Sequence, residues 1–183
     1  MKLKLLIVFT LVILAVAVAG RLVPHAPNFT PVGAVALFAG MYLAQKSKWA
    51  LALPLGLMFL TDLAIGFYDI KLMAVVYGSF FLYAVFGMLV RHRKGIGSVA
   101  LATLSGSLSF YLITNFAVWA FSTVYPSTPQ GLLLSYAMAL PFLKFTLLGD
   151  IFFVSVFIGG YELALRLLRQ KAFKLNSIKL FTP

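Results

Sequence analysis

Cysteine is absent from the chain, which excludes disulfide frameworks, thiolate metal sites and cysteine nucleophiles. Acidic residues are almost absent too, with four Asp and Glu against fifteen Lys and Arg. Charged residues of both signs make up 10% of the 183 positions, where soluble domains carry about 25%. Apolar residues, at 62%, fill the space they leave. A soluble fold of this size has no core large enough to hide so much apolar side chain, so the bilayer must solvate most of the surface. The composition therefore predicts an all-α integral membrane protein and excludes an aqueous enzyme domain.

Six apolar runs are long enough, or nearly so, to cross a membrane as helices: residues 5–20, 32–45, 49–67, 72–90, 98–124 and 141–168. They form one domain spanning residues 1–183. The apolar stretch 131–140 is too short to cross alone and reads as part of a proline-rich loop, able to lie as a lid over the outer mouth. Lys2, Lys4 and Ala17-Val18-Ala19 before Gly20 also match a cleavable signal peptide. The length of that first run favours a retained span.

The net charge of +11 would suggest nucleic acid in a soluble protein, but its distribution follows the loops. Basic residues crowd the N-terminus, the second loop (Lys46, Lys48), the fourth loop (Arg91, Arg93, Lys94) and the tail from Arg166. The opposite end carries only Arg21 and Lys71. Basic loops face the cytoplasm, so both termini are expected inside, and no nucleic-acid partner is expected. The basic tail, with Phe173 and Leu175, suits contact with anionic lipid headgroups of the bilayer.

A charge at mid-bilayer costs roughly 3 kcal/mol or more, so charges inside spans mark a cavity or a partner. Asp62 falls about 9 Å below the outer surface, Asp150 about 14 Å below it, and Lys144 nearer the mouth. Either aspartate could pair with Lys144 to fix the bundle, or all three could bind a solute. Ser107, Tyr111, Asn115 and Trp119 follow one another at i+4 steps, a polar stripe that faces protein. Ser107 reads as a helix–helix hydrogen bond, and Trp119 as either a stacking face or an interfacial anchor. In the outer loop 21–31, three prolines stiffen a segment carrying His25 and Asn28. His25 has no second ligand at metal-site spacing, so no metal is expected. Ala15 and Ala19, and Ala36, Gly40 and Ala44, form small-xxx-small patterns for close helix approach, most simply within the bundle.

Asn28-Phe29-Thr30-Pro31-Val32-Gly33-Ala34, Ala36-Leu37-Phe38-Ala39-Gly40, Pro54-Leu55-Gly56, Thr61-Asp62-Leu63, Thr114-Asn115-Phe116 and Leu148-Gly149-Asp150 together give the chain a wider likeness. Their order resembles the S components of energy-coupling-factor transporters, and is most similar to an uncharacterised bacterial branch of putative transport proteins. That resemblance implies a six-helix subunit of the bacterial cytoplasmic membrane that captures a small water-soluble, vitamin-like solute from outside. It implies import driven by a separate membrane coupling protein and an ATPase pair, with Ala15 and Ala19 at the coupling contact. A phosphate-binding glycine loop of the GxxxxGK type is absent, so no nucleotide cofactor is expected on this chain. Metal-importing relatives carry a histidine after the initiator methionine, where this chain has Lys2, which argues against a metal solute. The expected solute ligands are His25, Asn28, Asp62, Asn115, Trp119, Lys144 and Asp150.

Two other readings compete. Asp150 after Gly149, with Asp69, loosely matches an intramembrane aspartyl protease, although Leu147 replaces that motif's first glycine. A non-catalytic membrane scaffold or assembly protein is the other.

Overall fold

A computed structural model describes residues 2–181, and among these the chain is helical throughout, with no strand. The side chains of residues 173–183 lie outside the described residues, and with them the lipid contact expected of Phe173 and Leu175. Seven α-helices appear in chain order: α1 (Lys2–Leu22), α2 (Val32–Phe38), α3 (Leu53–Ile65), α4 (Ile70–Val90), α5 (Ile96–Phe121), α6 (Pro129–Val154) and α7 (Gly160–Phe181). α2 continues through a π turn at Ala39–Leu43, a 3-10 segment at Lys48–Ala52 leads into α3, and a second π turn at Ser155–Gly159 joins α6 to α7.

Local chemistry sets several of these ends. Asp69 caps α4 by accepting from the backbone N–H of Lys71 and Leu72, each at 3.0 Å. Thr128 caps α6 by accepting from Gly131 N at 3.1 Å, and Pro129 follows where a missing N–H does no harm. The α3 C-terminus ends at Gly66, whose φ of +106° only glycine adopts without strain.

Because of the Thr128 cap, α6 starts at Pro129 and not at Pro141. The stretch 131–140, expected as a loop lid, is the first three turns of that helix. Pro141 lies within it and removes only the bond that would run to Ala137 O.

Five segments are long and apolar enough to cross a membrane, and large apolar side chains such as Leu11, Leu63, Leu101 and Ile151 cover the outer surface. The chain is thus a multi-pass membrane protein. The remaining expected span is different in kind. Val32–Leu43 reaches only about 18 Å at 1.5 Å per residue, and every residue of α2 is buried. A helix apolar on all sides belongs inside a bundle, and α2 packs against α1, α3, α4, α5 and α6.

α2 fills only the half of the bundle that ends in the basic loops. Its Gly33 lies beside Tyr83 of α4, and Leu37 beside Gly87, so it runs alongside the last two turns of α4. At its far end the Tyr42 hydroxyl donates to Glu162 Oε1 at 2.7 Å, and Lys94 Nζ sits 4.1 Å from the Tyr42 ring centre. The connecting segment 23–31 therefore dips into the bundle, where Phe29 packs on Phe152 and Phe153 and its backbone rests against Gly149. Its last residues, Phe29 to Pro31, are half-buried or buried, and irregular backbone there is tolerated where it packs on protein or lines a cavity. Above it the centre of the bundle is left unfilled.

α1 contributes Leu6, Ile13 and Ala17 to the core. Ala15 and Ala19 point away from it, so packing within the bundle is not what these two do. Ala36 and Gly40 do pack internally, since a Cβ on Gly40 would overlap the backbone carbonyl of Ala84. Gly40→Val should lower stability by about 1–3 kcal/mol, because backbone atoms cannot step aside, whereas Gly56→Ala, in open space, should be neutral. Thermal unfolding of both variants in detergent checks this.

Candidate functional site

The unfilled centre is a cavity of about 300 Å³ at the cation-poor end, lined by residues of α1, the dipping segment, α3, α4, α5 and α6. Its floor is Asp150, 3% exposed. Tyr83 donates to Asp150 Oδ2 at 2.6 Å and Ser107 donates to the same oxygen at 2.7 Å, tying α4 and α5 to α6. Gly33 lies against the other oxygen so closely that any Cβ there would collide with Oδ1 and with the Tyr83 ring. No described donor reaches Oδ1, and Asp150 lines the cavity. This oxygen is the acceptor the site offers.

The rim is built on a buried ion pair. Arg21, at the last turn of α1, donates through Nη2 to Asp62 Oδ1 of α3 at 2.5 Å, and Tyr77 of α4 donates to Oδ2 at 2.6 Å. Asp62 is 2% exposed and does not line the cavity, but Arg21 does. The carboxylate thus holds the guanidinium over the opening. Tyr68, between α3 and α4, completes this side, and burial together with the Asp62 charge raises its phenol above the ordinary value while Arg21 opposes them. It stays a neutral hydroxyl.

His25 and Asn28 also line the cavity. His25 Nδ1 lies 2.7 Å from Val23 O, which requires a proton on Nδ1 and leaves Nε2 free to accept in the neutral ring. Asn28 holds a left-handed φ of 64°, a conformation that asparagine tolerates better than most side chains, where the segment turns down into the bundle.

Of the other expected ligands, Asp62 stands behind Arg21 without lining the cavity, Asn115 lines only an adjoining one, and Lys144 and Trp119 line neither. Lys144 is exposed on the outer side of α6 and makes no ion pair among the described residues. It is six residues from Asp150, about 120° around the helix, so turning Asp150 inward turns Lys144 outward. The expected pairing of Lys144 with either aspartate is corrected accordingly: Arg21 is the partner of Asp62, and phenol and hydroxyl donors serve Asp150. Trp119 offers no stacking face to the cavity. Its indole N–H donates to Pro126 O at 3.0 Å and its ring meets Phe116, which fastens the α5–α6 connection.

The polar stripe of α5 is a seam with α6. Tyr111 donates to Tyr136 O at 2.7 Å, Ser135 donates to Asn115 O at 2.9 Å, and Ser107 reaches Asp150 as the helix–helix bond expected of it. Asn115 lines a second, adjoining cavity of about 240 Å³ that shares Asn28, Val76, Phe110 and Thr146 with the first. Asp69 is remote from all this. It caps the N-terminus of α4, and Tyr83, which holds Asp150, lies thirteen residues and about 20 Å further along from Ile70. A protease dyad of Asp69 and Asp150 is not assembled.

Sequence reasoning misses Arg21, Tyr68, Tyr77 and Tyr83. Arg21 reads there as a topology charge, and α4 as a plain apolar run. Three phenols inside or beside apolar runs are the available signal, since a buried Tyr hydroxyl needs a partner.

The family model that matches the chain covers residues 1–174. The chain belongs to DUF6580, a family of unknown function. No curated protein and no solved structure matches it.

Removing one partner of a desolvated pair strands the other charge. Asp62→Ala and Arg21→Ala should each destabilise by about 3 kcal/mol, and the double variant by clearly less than their sum. Chemical unfolding of the three proteins measures the coupling, and additive losses would show that Arg21 and Asp62 do not depend on each other.

Proposed function

We propose that this chain is the substrate-capture subunit of a membrane uptake system, binding a small water-soluble, vitamin-like nutrient at its cation-poor end. The observation that carries the reading is the cavity whose floor is a buried carboxylate and whose rim holds Arg21, His25 and Asn28. Buried polar groups in a membrane bundle are costly, and here they converge on an opening instead of only on one another. A concave, mostly apolar site with a few convergent polar groups is what small-molecule recognition needs.

The positive-inside rule supports an outward opening with both termini in the cytoplasm, and the resemblance implies a bacterial cytoplasmic membrane. Arg21 takes the cationic role first expected of Lys144, so that an acid and a base still face one solute. Phe80, Phe110 and Tyr68 supply aromatic faces. The resemblance to S components agrees with this arrangement: the chain carries no nucleotide loop, and a membrane coupling protein and an ATPase pair would supply the drive. The outward-facing Ala15 and Ala19 leave α1 a smooth surface for the coupling protein.

Tagged protein extracted in mild detergent from its own host should bring ATPase and coupling subunits with it. Ala15→Leu with Ala19→Leu should lose them while keeping its thermal stability. Recovery of the chain with unrelated membrane proteins only, unaffected by that change, would favour the scaffold reading.

A further inference from the structure

Among the bonds that join α6 to α5, two lie towards the outer and inner ends of the seam, and the lengths of helix between them differ. Ser135 meets Asn115 and Asp150 meets Ser107, so α6 spends fifteen residues, about 22 Å, where α5 spends eight, about 12 Å. Ser107 and Asn115 share one face of α5, so the two anchors cannot diverge around that helix to absorb the surplus. The two helices leave open space between them in this interval. Pro141, which removes one helix hydrogen bond, sits in this interval. The second cavity lies in the same interval, between Tyr111 and Thr114 of α5 and Phe142 and Leu143 of α6.

Both helices present apolar side chains outward here, among them Leu112, Phe116, Leu140 and Phe142. We infer that this gap makes a lateral window from the candidate site to the bilayer. The site then takes an amphipathic amine, its N–H donors on Asp150 Oδ1 and its apolar end passing between α5 and α6. This rests on the solute-binding reading of the main cavity and replaces its water-soluble class with an amphipathic one, whose amine head sits at Asp150 on the floor, away from the cationic rim at Arg21. Two features argue for that class. The free acceptor at the floor calls for a donor-bearing head. The shared wall of the two cavities, Val76 and Phe110, then leads from the floor towards the window without a further charged group.

The test uses the full chain in nanodiscs with propylamine and hexylamine as probes. Hexylamine should bind on the order of ten- to fifty-fold tighter than propylamine, as expected when three more methylenes leave water. Leu143→Trp should abolish that chain-length difference while leaving propylamine binding intact. If neither amine binds, or if Asp150→Asn binds both as well as the parent, the assignment of an amine to Asp150 is overturned, whereas a co-purifying solute held by the parent and lost from Asp150→Asn keeps the main cavity as a solute site. If both bind equally to the parent, the amine assignment stands and the window is overturned. Should Leu143→Trp not fold, the absence of native cysteine permits a single fluorophore at Leu143→Cys. Quenching by lipids brominated on their acyl chains supports the window, and quenching by aqueous iodide alone overturns it.

Discussion

The hydrogen-bonded carboxylate of Asp150 is the constraint on which the arrangement depends. It draws α4 through Tyr83 and α5 through Ser107 onto α6, and its other oxygen sets how high α2 can rise, because only a glycine at position 33 fits beneath it. α2 accordingly starts at mid-bundle and the segment before it must descend to meet it. A buried aspartate in an apolar bundle is tolerable because two hydroxyl donors compensate part of its lost hydration. The same compensation leaves one oxygen unused on the side where the bundle is open.

The rim shows a related logic with different chemistry. Arg21 and Asp62 neutralise one another, with Tyr77 as a third partner, and the pair keeps a guanidinium at the opening without leaving a lone charge in the hydrocarbon. Floor and rim are thus each hydrogen-bonded within themselves, and each sends one member, Asp150 or Arg21, to the cavity wall.

Much of the helical layout was legible from apolar run length, and Asp62 and Asp150 were legible as misfits within it. The polar stripe of α5 was legible as a protein-facing seam, because i+4 spacing puts its members on one face. The length and partners of α6 were not. A proline at position 141 reads as a helix start, and only the cap at Thr128 shows that the helix began three turns earlier. Lys144 escapes sequence reasoning for a different reason: spacing gives its angle from Asp150 but not which of the two faces inward. The partners of the two aspartates, Arg21, Tyr77 and Tyr83, lie 15 to 67 residues away in sequence, and helix periodicity carries no information across such distances.

That this cavity holds a small molecule is the central claim, and native mass spectrometry of the gently solubilised protein from its own host tests it most directly. A stoichiometric adduct of small-molecule mass, present on the parent and lost from Asp150→Asn with folding intact, is the predicted result. A bare chain, or an adduct that survives the substitution, would contradict the account.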